Sequence, residues 1–477
     1  MDHRFAIAIL AAGQGTRFRS QRAKVLHEAG GRTLIEHVVQ TAAQLSPRDI
    51  FVIVGHQAEA VIAHLQERGF RRLKFIFQKE RLGTGHALRS GRGPLANAAP
   101  QLLVLSGDTP LLTPQTLRKL IAAHRRSQAA ATVLTAEMDD PTGYGRILRA
   151  SGGTDGRSSN HSIIAIVEQK SATAEQRQIR EVNSGIYCFQ TQPLFRALQQ
   201  VKLDPIKKEY YLTDVIALLA GRGLGVHAFR AEDPQEVIGI NDRVELARVD
   251  NLLRLRKARE LMRAGVTIQA PESVRIDAGV RVGPDTEIEP GAVLRGRTRI
   301  GTNCRIGAGC IVADSELADG VVLRPCCVLT ESRIASGAVI GPFSHLRPGT
   351  EIGPGSQIGA FVEVKKSRIG RGVHAHHLAY LGDAVLGDGV NVGAGTITCN
   401  FDGTRKHQTV IEDGVFLGSG TELVAPLRVG RGAYVAAGST ITEEVPAHAL
   451  ALARARQVVK AGWAARRKAP SAAKPGR

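Results

Sequence analysis

The sequence predicts an α/β domain built on a Rossmann-like, mainly parallel sheet, then a helical linker, then a parallel β-helix of hexapeptide repeats. Three observations predict it. From Val282 onward an aliphatic residue recurs every sixth position, as at Ile288, Leu294, Ile300 and Ile306, then Val322, Val328, Ile334, Ile340, Leu346, Ile352, Ile358 and Val364. Before that, short apolar runs alternate with segments of helical spacing. Between the two lies a stretch of helical periodicity that ends in Gly265.

Taken in order, 5–12 reads as a buried strand followed by the loop GQGTRFRSQRAK and a periodic segment at 34–43. Apolar runs at 50–54, 75–77, 102–105 and 131–136 alternate with helical stretches at 58–68 and 114–124. That rhythm gives a mainly parallel sheet with its sites at the carboxyl ends of strands. The polar, Gly/Ser-rich segment 151–162 reads as a surface loop. The resulting boundaries are a first domain at 1–243, a helical arm at 244–265, the coil at 266–454 and a basic tail at 455–477.

Neither a helix nor a pleated strand has a period of six, whereas a triangular coil with one hexad per side points one anchor inward on every side. A small residue precedes most anchors by two, as at Thr286, Ala292, Thr298, Ser332, Ala338, Ser344, Thr350 and Ser356. Cys304, Cys310 and Cys326 fall in this inward position and read as packing residues. The frame breaks after Val364 and again between Val392 and Ile411, and loops that leave a solenoid at such breaks commonly build its binding face.

The chain carries 63 Lys and Arg against 44 Asp and Glu, a net charge of +19, which admits polyanionic partners. Much of the excess lies in two places. Segment 454–477 has eight basic residues and no acidic one, and 243–263 has seven against three. A solvated tail accounts for this charge, and with 4% aromatic residues the stacking platforms of a single-strand binder are missing, so no nucleic acid is expected. No CxxC pair exists for a zinc site. The apolar run at 6–12 is too short to span a membrane, so no membrane insertion is expected and a reducing cytoplasm fits.

After the first strand, Gly13, Gly15 and Thr16 can turn backbone N–H groups toward a phosphate, with Arg17 and Lys24 adding positive charge. The spacing is neither GxGxxG nor a Walker loop. Asp108 ends an apolar strand in LSGDTPLL, where a carboxylate can hold Mg²⁺ beside phosphate oxygens. Asn241 could supply a second oxygen or be an ordinary turn residue. Gly83 and Thr84 sit in a turn able to approach a base, and Glu168 and Asn183 lie at strand ends where they could bind a sugar. In the coil, His374, His376 and His377 admit a metal, but a single imidazole acting as general base is the better proposal.

LAAGQGTR with KVLH, LGTGHA, GD, GYGRI, VEQK, NSGIY and EYYLTD, and later HLAYLGDA with NVGAGTITCN, stand in this order along nearly the whole chain. This series resembles the bifunctional N-acetylglucosamine-1-phosphate uridylyltransferase/glucosamine-1-phosphate acetyltransferase family. The resemblance implies acetyl transfer from acetyl-CoA to glucosamine 1-phosphate, then Mg²⁺-dependent uridylyl transfer from UTP to N-acetylglucosamine 1-phosphate. The product would be UDP-N-acetylglucosamine, a precursor for peptidoglycan and lipopolysaccharide.

By the same resemblance, Leu10, Ala11, Ala12, Gly13, Gln78, Gly83, Thr84 and Gly107 hold the uridine nucleotide, and Arg17 and Lys24 serve its phosphates. Gly145, Glu168 and Asn183 bind the amino sugar, and Asp108 and Asn241 ligate Mg²⁺. His377 is selected as the base; Arg347, Lys365, Tyr380 and Asn391 bind glucosamine 1-phosphate. Ala394, Asn400, Phe401, Ser419, Ala437 and Arg454 match the acetyl-CoA positions, and the Ala394 amide is a candidate oxyanion donor. The resemblance also implies a left-handed coil and a homotrimer with acetyl-CoA between neighbours. Four positions depart from the family pattern: Ala23 for Pro, Ser106 for Tyr, Phe401 for Tyr, and Gly420 for a polar residue. Two rival readings remain open at this level, a different sugar-1-phosphate nucleotidyltransferase with a non-catalytic coil, and a basic nucleic-acid-binding scaffold.

Overall fold

In the computed structural model, residues 5–150, 162–205 and 207–468 are described, and they form two compact units, Met1–Lys257 and Ala258–Arg477. The surface loop expected at 151–162 lies outside the described residues except for Ser162, and so does the end of the basic tail. No helix among the described residues is long and apolar enough to cross a membrane.

The first unit is built on a sheet of nine strands among the described residues. These are β1 (Phe5–Ala11), β2 (Ile50–Val54), β3 (Leu73–Phe77), β4 (Gln101–Ser106), β5 (Ala131–Glu137), β6 (Arg146–Arg149), β7 (Ile163–Val167), β8 (Glu181–Gln190) and β9 (Val226–Arg230). The order is β9-β5-β8-β4-β1-β2-β3, with β6 pairing β8 and β7. Strand β8 is antiparallel to β4 and β5, whereas β1 is parallel to both β2 and β4. The chain leaves β1 to one side for β2 and later returns to the other for β4. The carboxyl end of β1 is therefore the point where the winding reverses, the place where open α/β sheets form a crevice. Strand β1 reads FAIAILA because both its faces are covered, and Ala6, Ile7, Ala8 and Ile9 are fully buried.

The helix Leu34–Ala43 begins where the sequence expects it, with Thr33 and Glu36 forming a reciprocal capping box. The helix Arg243–Arg263 contains the division between units. Its early residue Val249 packs with Phe18, Leu34 and Leu111 of the first unit, and Ala258 and Leu261 count with the core of the second.

The second unit is a left-handed β-helix: three parallel sheets run along it, of 11, 10 and 9 short strands among the described residues. Inward residues include Ile288, Leu294, Ile300, Ile306, Ile340, Leu346, Ile352, Ile358 and Val364, all at most 4% exposed. Each such side chain, once buried, stabilises the coil by about 1.5–3 kcal/mol.

One part of the predicted frame is displaced. Val322 and Val328 are only partly buried, and Leu323 and Leu329 point inward instead. The side from Val312 to Leu317 has five residues rather than six, so Leu317, Leu323 and Leu329 point inward one residue earlier than the frame of Ile306 would place them. A second five-residue side, Leu329 to Ile334, adds one more shift and brings the inward positions onto the frame of Ile334 and Ile340. Consequently Cys327 fills the inward position and Cys326 is exposed with φ 61°, whereas Cys304 and Cys310 are buried as expected. The break expected between Val364 and Leu386 is also only a pair of short sides. Ile369, Ala375 and Leu381 continue the core, and no loop leaves there. The later break is real. The loop 400–408 stands out between the strands Ile397–Cys399 and Thr409–Ile411.

Candidate functional site

At the carboxyl end of β1 a Cβ added to Gly13 would meet nothing within 4 Å, so its backbone faces open space. Gly15 has φ 66°, and a Cβ there would lie 2.8 Å from the Lys24 Cβ, so the loop can close over the lysine stem only with glycine. Lys24 Nζ forms an ion pair with the Asp108 carboxylate, both side chains being mostly buried. Arg17 Nη2 donates to Asn241 Oδ1 at 2.8 Å. The Ile240 N–H donates to the Asp108 carbonyl at 3.1 Å, which ties the two pairs together. Gly107 donates to the Leu10 carbonyl at 2.9 Å, and a side chain at Gly107 would collide with that oxygen. Four polar residues from three parts of the sequence are thus gathered at the edge of the sheet formed by the carboxyl ends of its strands.

The departure at Ala23 has a structural counterpart. Its N–H donates to Gln57 Oε1 at 2.8 Å, a bond proline could not make, and Gln57 Nε2 in turn donates to the Gln21 carbonyl at 2.5 Å. The segment carrying Lys24 is held by this bridge in place of a ring.

Beside it, buried Gln78 donates to the Gly83 carbonyl at 3.1 Å. Gly83 adopts φ 90°, with Tyr210 O 2.8 Å from where a Cβ would stand. Gly85 donates to the Tyr210 carbonyl at 2.8 Å, Tyr210 to the Leu82 carbonyl at 2.7 Å, and Leu212 to Thr84 Oγ1 at 3.1 Å. The EYYLTD segment therefore clamps the LGTGHA turn. Arg89 completes the clamp, its guanidinium 4.2 Å above the Tyr210 ring while it donates to the carbonyls of Leu198 and Val201. Arg89 and Tyr210 were not singled out from sequence, because their contact is made only by the fold.

On the other side of β4, the Gly145 carbonyl accepts from Asn183 N–H at 2.8 Å, and Asn183 Nδ2 donates to the Tyr187 hydroxyl at 2.8 Å. Glu168 accepts from the Thr213 hydroxyl at 3.2 Å, and burial raises its pKa above the ordinary carboxylate value. Ser106 Oγ lies 3.2 Å from where a Gly185 Cβ would stand, so the hydroxyl faces that turn in place of the family's ring.

In the coil, Arg347 Nη1 donates to Glu363 at 2.8 Å, Glu363 pairs in register with Tyr380, and Lys365 pairs with Gly382. The Tyr380 ring lies over Gly382, where a Cβ would stand 2.6 Å from the ring carbon Cζ. Lys406, from the projecting loop, contacts Lys365 and is the main reason its pKa falls below the ordinary lysine value, with desolvation and then Arg347 adding to it. Three cations thus converge. Lys406 was missed in the sequence, where it is one basic residue among several in a loop.

His377 is exposed at the end of the strand His374–His377, its ring centroid 6.0 Å from that of His376. Among the described residues, no group of three His, Cys, Asp or Glu is arranged to hold a metal ion. Asn391 lies in the same sheet as His377, whereas Arg347, Lys365 and Tyr380 lie in the next, so the set wraps a corner of the coil. Asn400 is 7% exposed and donates to Asp383 at 2.5 Å, so its side chain anchors the loop. Asp402 closes that loop by accepting from Thr404 and Arg405 N–H at 2.7 and 2.6 Å, which holds its carboxyl below the usual range. Phe401 is exposed.

Ala394, Ser419 and Ala437 stack at one corner. Gly420 donates to the Ala394 carbonyl at 2.7 Å, Gly438 to that of Ser419 at 2.8 Å, and Arg454 to that of Ala437 at 2.8 Å. The departure at Gly420 fits its φ of 68°, a conformation that glycine adopts without strain.

Residues 7–181 match the model of the MobA-like NTP transferase domain. Residues 279–314 and 331–366 match the bacterial transferase hexapeptide, and 408–443 the hexapeptide repeat of succinyl-transferase. The chain is 49% identical to the bifunctional protein GlmU of Koribacter versatilis over 98% of both chains. It is 50% identical to that of Anaeromyxobacter sp. over 97% of this chain and 93% of the relative. A likeness of that extent, covering the strand-edge site and the hexapeptide coil alike, places this chain in the family of bifunctional GlmU proteins.

Proposed function

We propose that the coil acetylates glucosamine 1-phosphate from acetyl-CoA, and that the first unit then joins N-acetylglucosamine 1-phosphate to UTP, giving UDP-N-acetylglucosamine and pyrophosphate. The observation that carries the two-activity reading is the gathering of Arg347, Lys365 and Lys406 on the side of the coil that follows the strand ending in His377, because a non-catalytic coil has no use for such a cation cluster next to an exposed imidazole.

In the first reaction His377 takes a proton from the amine, whose nitrogen attacks the thioester carbonyl. The C–S bond breaks, and the proton passes to the departing CoA sulfur. The Ala394 N–H donates to the oxyanion. Arg347, Lys365 and Lys406 hold the sugar phosphate, and Tyr380 and Asn391 border the sugar. Ser419, Ala437 and Arg454 line the corner proposed for acetyl-CoA, with Phe401 beside it and Asn400 keeping the loop in place.

In the second reaction a phosphate oxygen of the sugar attacks the α-phosphorus of UTP, and the bond to the β-phosphate bridging oxygen breaks. Gln78, Gly83 and Thr84 border the base, and the backbone from Leu10 to Gly13, with Gly107, approaches the nucleotide. Gly145, Glu168 and Asn183 hold the amino sugar. Asp108 and Asn241 would hold Mg²⁺. They fit that ion, since both are hard oxygen donors and each already faces a cation, Asp108 pairing with Lys24 and Asn241 accepting from Arg17. When bound, Mg²⁺ supplies charge neutralisation at the phosphate oxygens. Lys24 and Arg17 then turn from their oxygen partners to the phosphates.

We also infer a homotrimer. Phe343, Phe361 and Leu378 form an exposed ridge at φ 58°, 58° and 48°, the two rings stacked 5.2 Å apart. Holding bulky residues there costs about 1–2 kcal/mol each, which burial against a second copy would offset. Six free thiols suit a reducing, cytoplasmic setting.

The test supplies acetyl-CoA, glucosamine 1-phosphate, UTP and Mg²⁺ and follows products over time. CoA should appear first and UDP-N-acetylglucosamine after it. UDP-sugar formed from N-acetylglucosamine 1-phosphate without any CoA release from glucosamine 1-phosphate would leave the coil non-catalytic. A Lys406→Ala chain should need about 10-fold more glucosamine 1-phosphate for half-maximal acetyl transfer, the effect of losing one charge-assisted phosphate contact. Steady-state kinetics at saturating acetyl-CoA checks this.

A further inference from the structure

Arg146 heads the fully buried side chains by volume, at 1% exposure. Its Nη1 donates to the Tyr144 carbonyl and its Nη2 to the Arg177 carbonyl at 3.4 Å, and its Nε has no partner. Asp140 is the carboxylate that favours its charge, yet Asp140 is solvent-exposed and accepts from Thr142 N–H at 3.0 Å. A guanidinium buried without a paired carboxylate destabilises the fold, and an apolar side chain of similar volume would pack there without that penalty. Packing therefore does not explain an arginine at this position.

Its surroundings do. Arg146 pairs in register with Val167 of β7 and Val182 of β8. The residue before Arg146 is Gly145, the one after Val167 is Glu168, and the one after Val182 is Asn183. The three residues that hold the amino sugar in the proposed function thus each adjoin the rung centred on Arg146.

The grip on Tyr144 has a directional consequence. A trans peptide is planar, with its C=O and N–H pointing opposite ways. The peptide whose carbonyl Arg146 draws inward is the one whose N–H belongs to Gly145. Its own carbonyl is in turn fixed by the Asn183 N–H. Gly145 N–H is therefore directed away from the buried Arg146 guanidinium.

We propose that Arg146 is a positioning residue of the amino-sugar subsite, holding the 144–145 peptide so that the Gly145 N–H is presented to the sugar. The proposal rests on the assignment of Gly145, Glu168 and Asn183 to N-acetylglucosamine 1-phosphate. It names a group that never touches the substrate, and whose loss acts on one substrate only.

The test uses the full chain with Arg146→Met and Arg146→Lys, measuring KM for the sugar phosphate and for UTP separately, together with acetyl transfer by the same preparations. Arg146→Met should raise KM for N-acetylglucosamine 1-phosphate by about 10-fold, with KM for UTP and the acetyl-transfer rate unchanged. Arg146→Lys, which keeps a charged donor able to reach one carbonyl, should recover part of that loss. Should the Met variant lose its cooperative thermal transition, the Lys variant decides by the same KM split. An unmoved sugar KM with only a lower Tm, or an equal rise in both KM values, would overturn the proposal. A wild-type chain unable to use the sugar phosphate at all would instead overturn the assignment beneath it, and the two failures are distinguished by that control.

Discussion

His377→Ala should lower acetyl transfer by about 10²–10⁴-fold, the range for removing a general base, while UDP-N-acetylglucosamine still forms at the wild-type rate from supplied N-acetylglucosamine 1-phosphate. The side chain is exposed at the end of its strand, so its removal leaves no cavity and should change stability by less than about 0.5 kcal/mol. A loss of rate can then be assigned to chemistry. His374 and His376 provide the comparison. They share the strand with His377, and His374 has a buried Nδ1 without a partner, so His374→Ala tests packing in the same place without removing the proposed base. Thioester cleavage followed spectrophotometrically, with nucleotidyl transfer assayed on the same sample, checks the result. Equal loss of both activities would remove His377 from the role of base.

The two halves of this chain differ in how much of them the sequence discloses. The sheet and its crevice were legible because β1, β2 and β4 are short apolar runs bounded by turns, and because the glycines at 13 and 15 stand where a backbone must curl. The pairing of Lys24 with Asp108 and of Arg17 with Asn241 was not, since the first joins residues 84 positions apart and the second residues from opposite ends of the domain. In the coil the period was visible but its local phase was not. Val322 and Val328 are as aliphatic as Leu323 and Leu329, and only the five-residue sides decide which pair turns inward. Of the residues proposed for the coil's chemistry, His377 lies not at a break in the frame but on a paired strand, with Ala360 as its neighbour. Lys406, proposed to bind the phosphate, lies on the loop that leaves the coil at the later break. Arg146 illustrates a different limit. GYGRI drew attention to its glycine, and the arginine became informative only once its burial was known.

Asp108→Asn should lower uridylyl transfer by about 10²–10³-fold and leave acetyl transfer untouched, the reciprocal of the His377 result. The amide is the informative replacement. Asp108→Ala would leave the Lys24 ammonium, mostly buried, facing no acceptor, and removing one partner of such a pair costs several kcal/mol. A lost rate could then reflect a collapsed loop, because Gly15 closes directly over the Lys24 stem. Asparagine keeps the shape and one oxygen acceptor for Lys24 but removes the negative charge. The charge is the quantity at issue, since phosphoryl transfer of this kind uses no side-chain nucleophile and relies on positioning and neutralisation. Without it, Lys24 has less to hold it beside Asp108, and the pair Asp108–Asn241 offers a cation two neutral oxygens instead of a carboxylate and an amide. Rates of pyrophosphate release measured across a range of Mg²⁺ concentrations check this. An Asp108→Asn chain that forms UDP-N-acetylglucosamine at the wild-type rate and with the wild-type Mg²⁺ dependence would take Asp108 out of the metal site and leave it as the structural partner of Lys24.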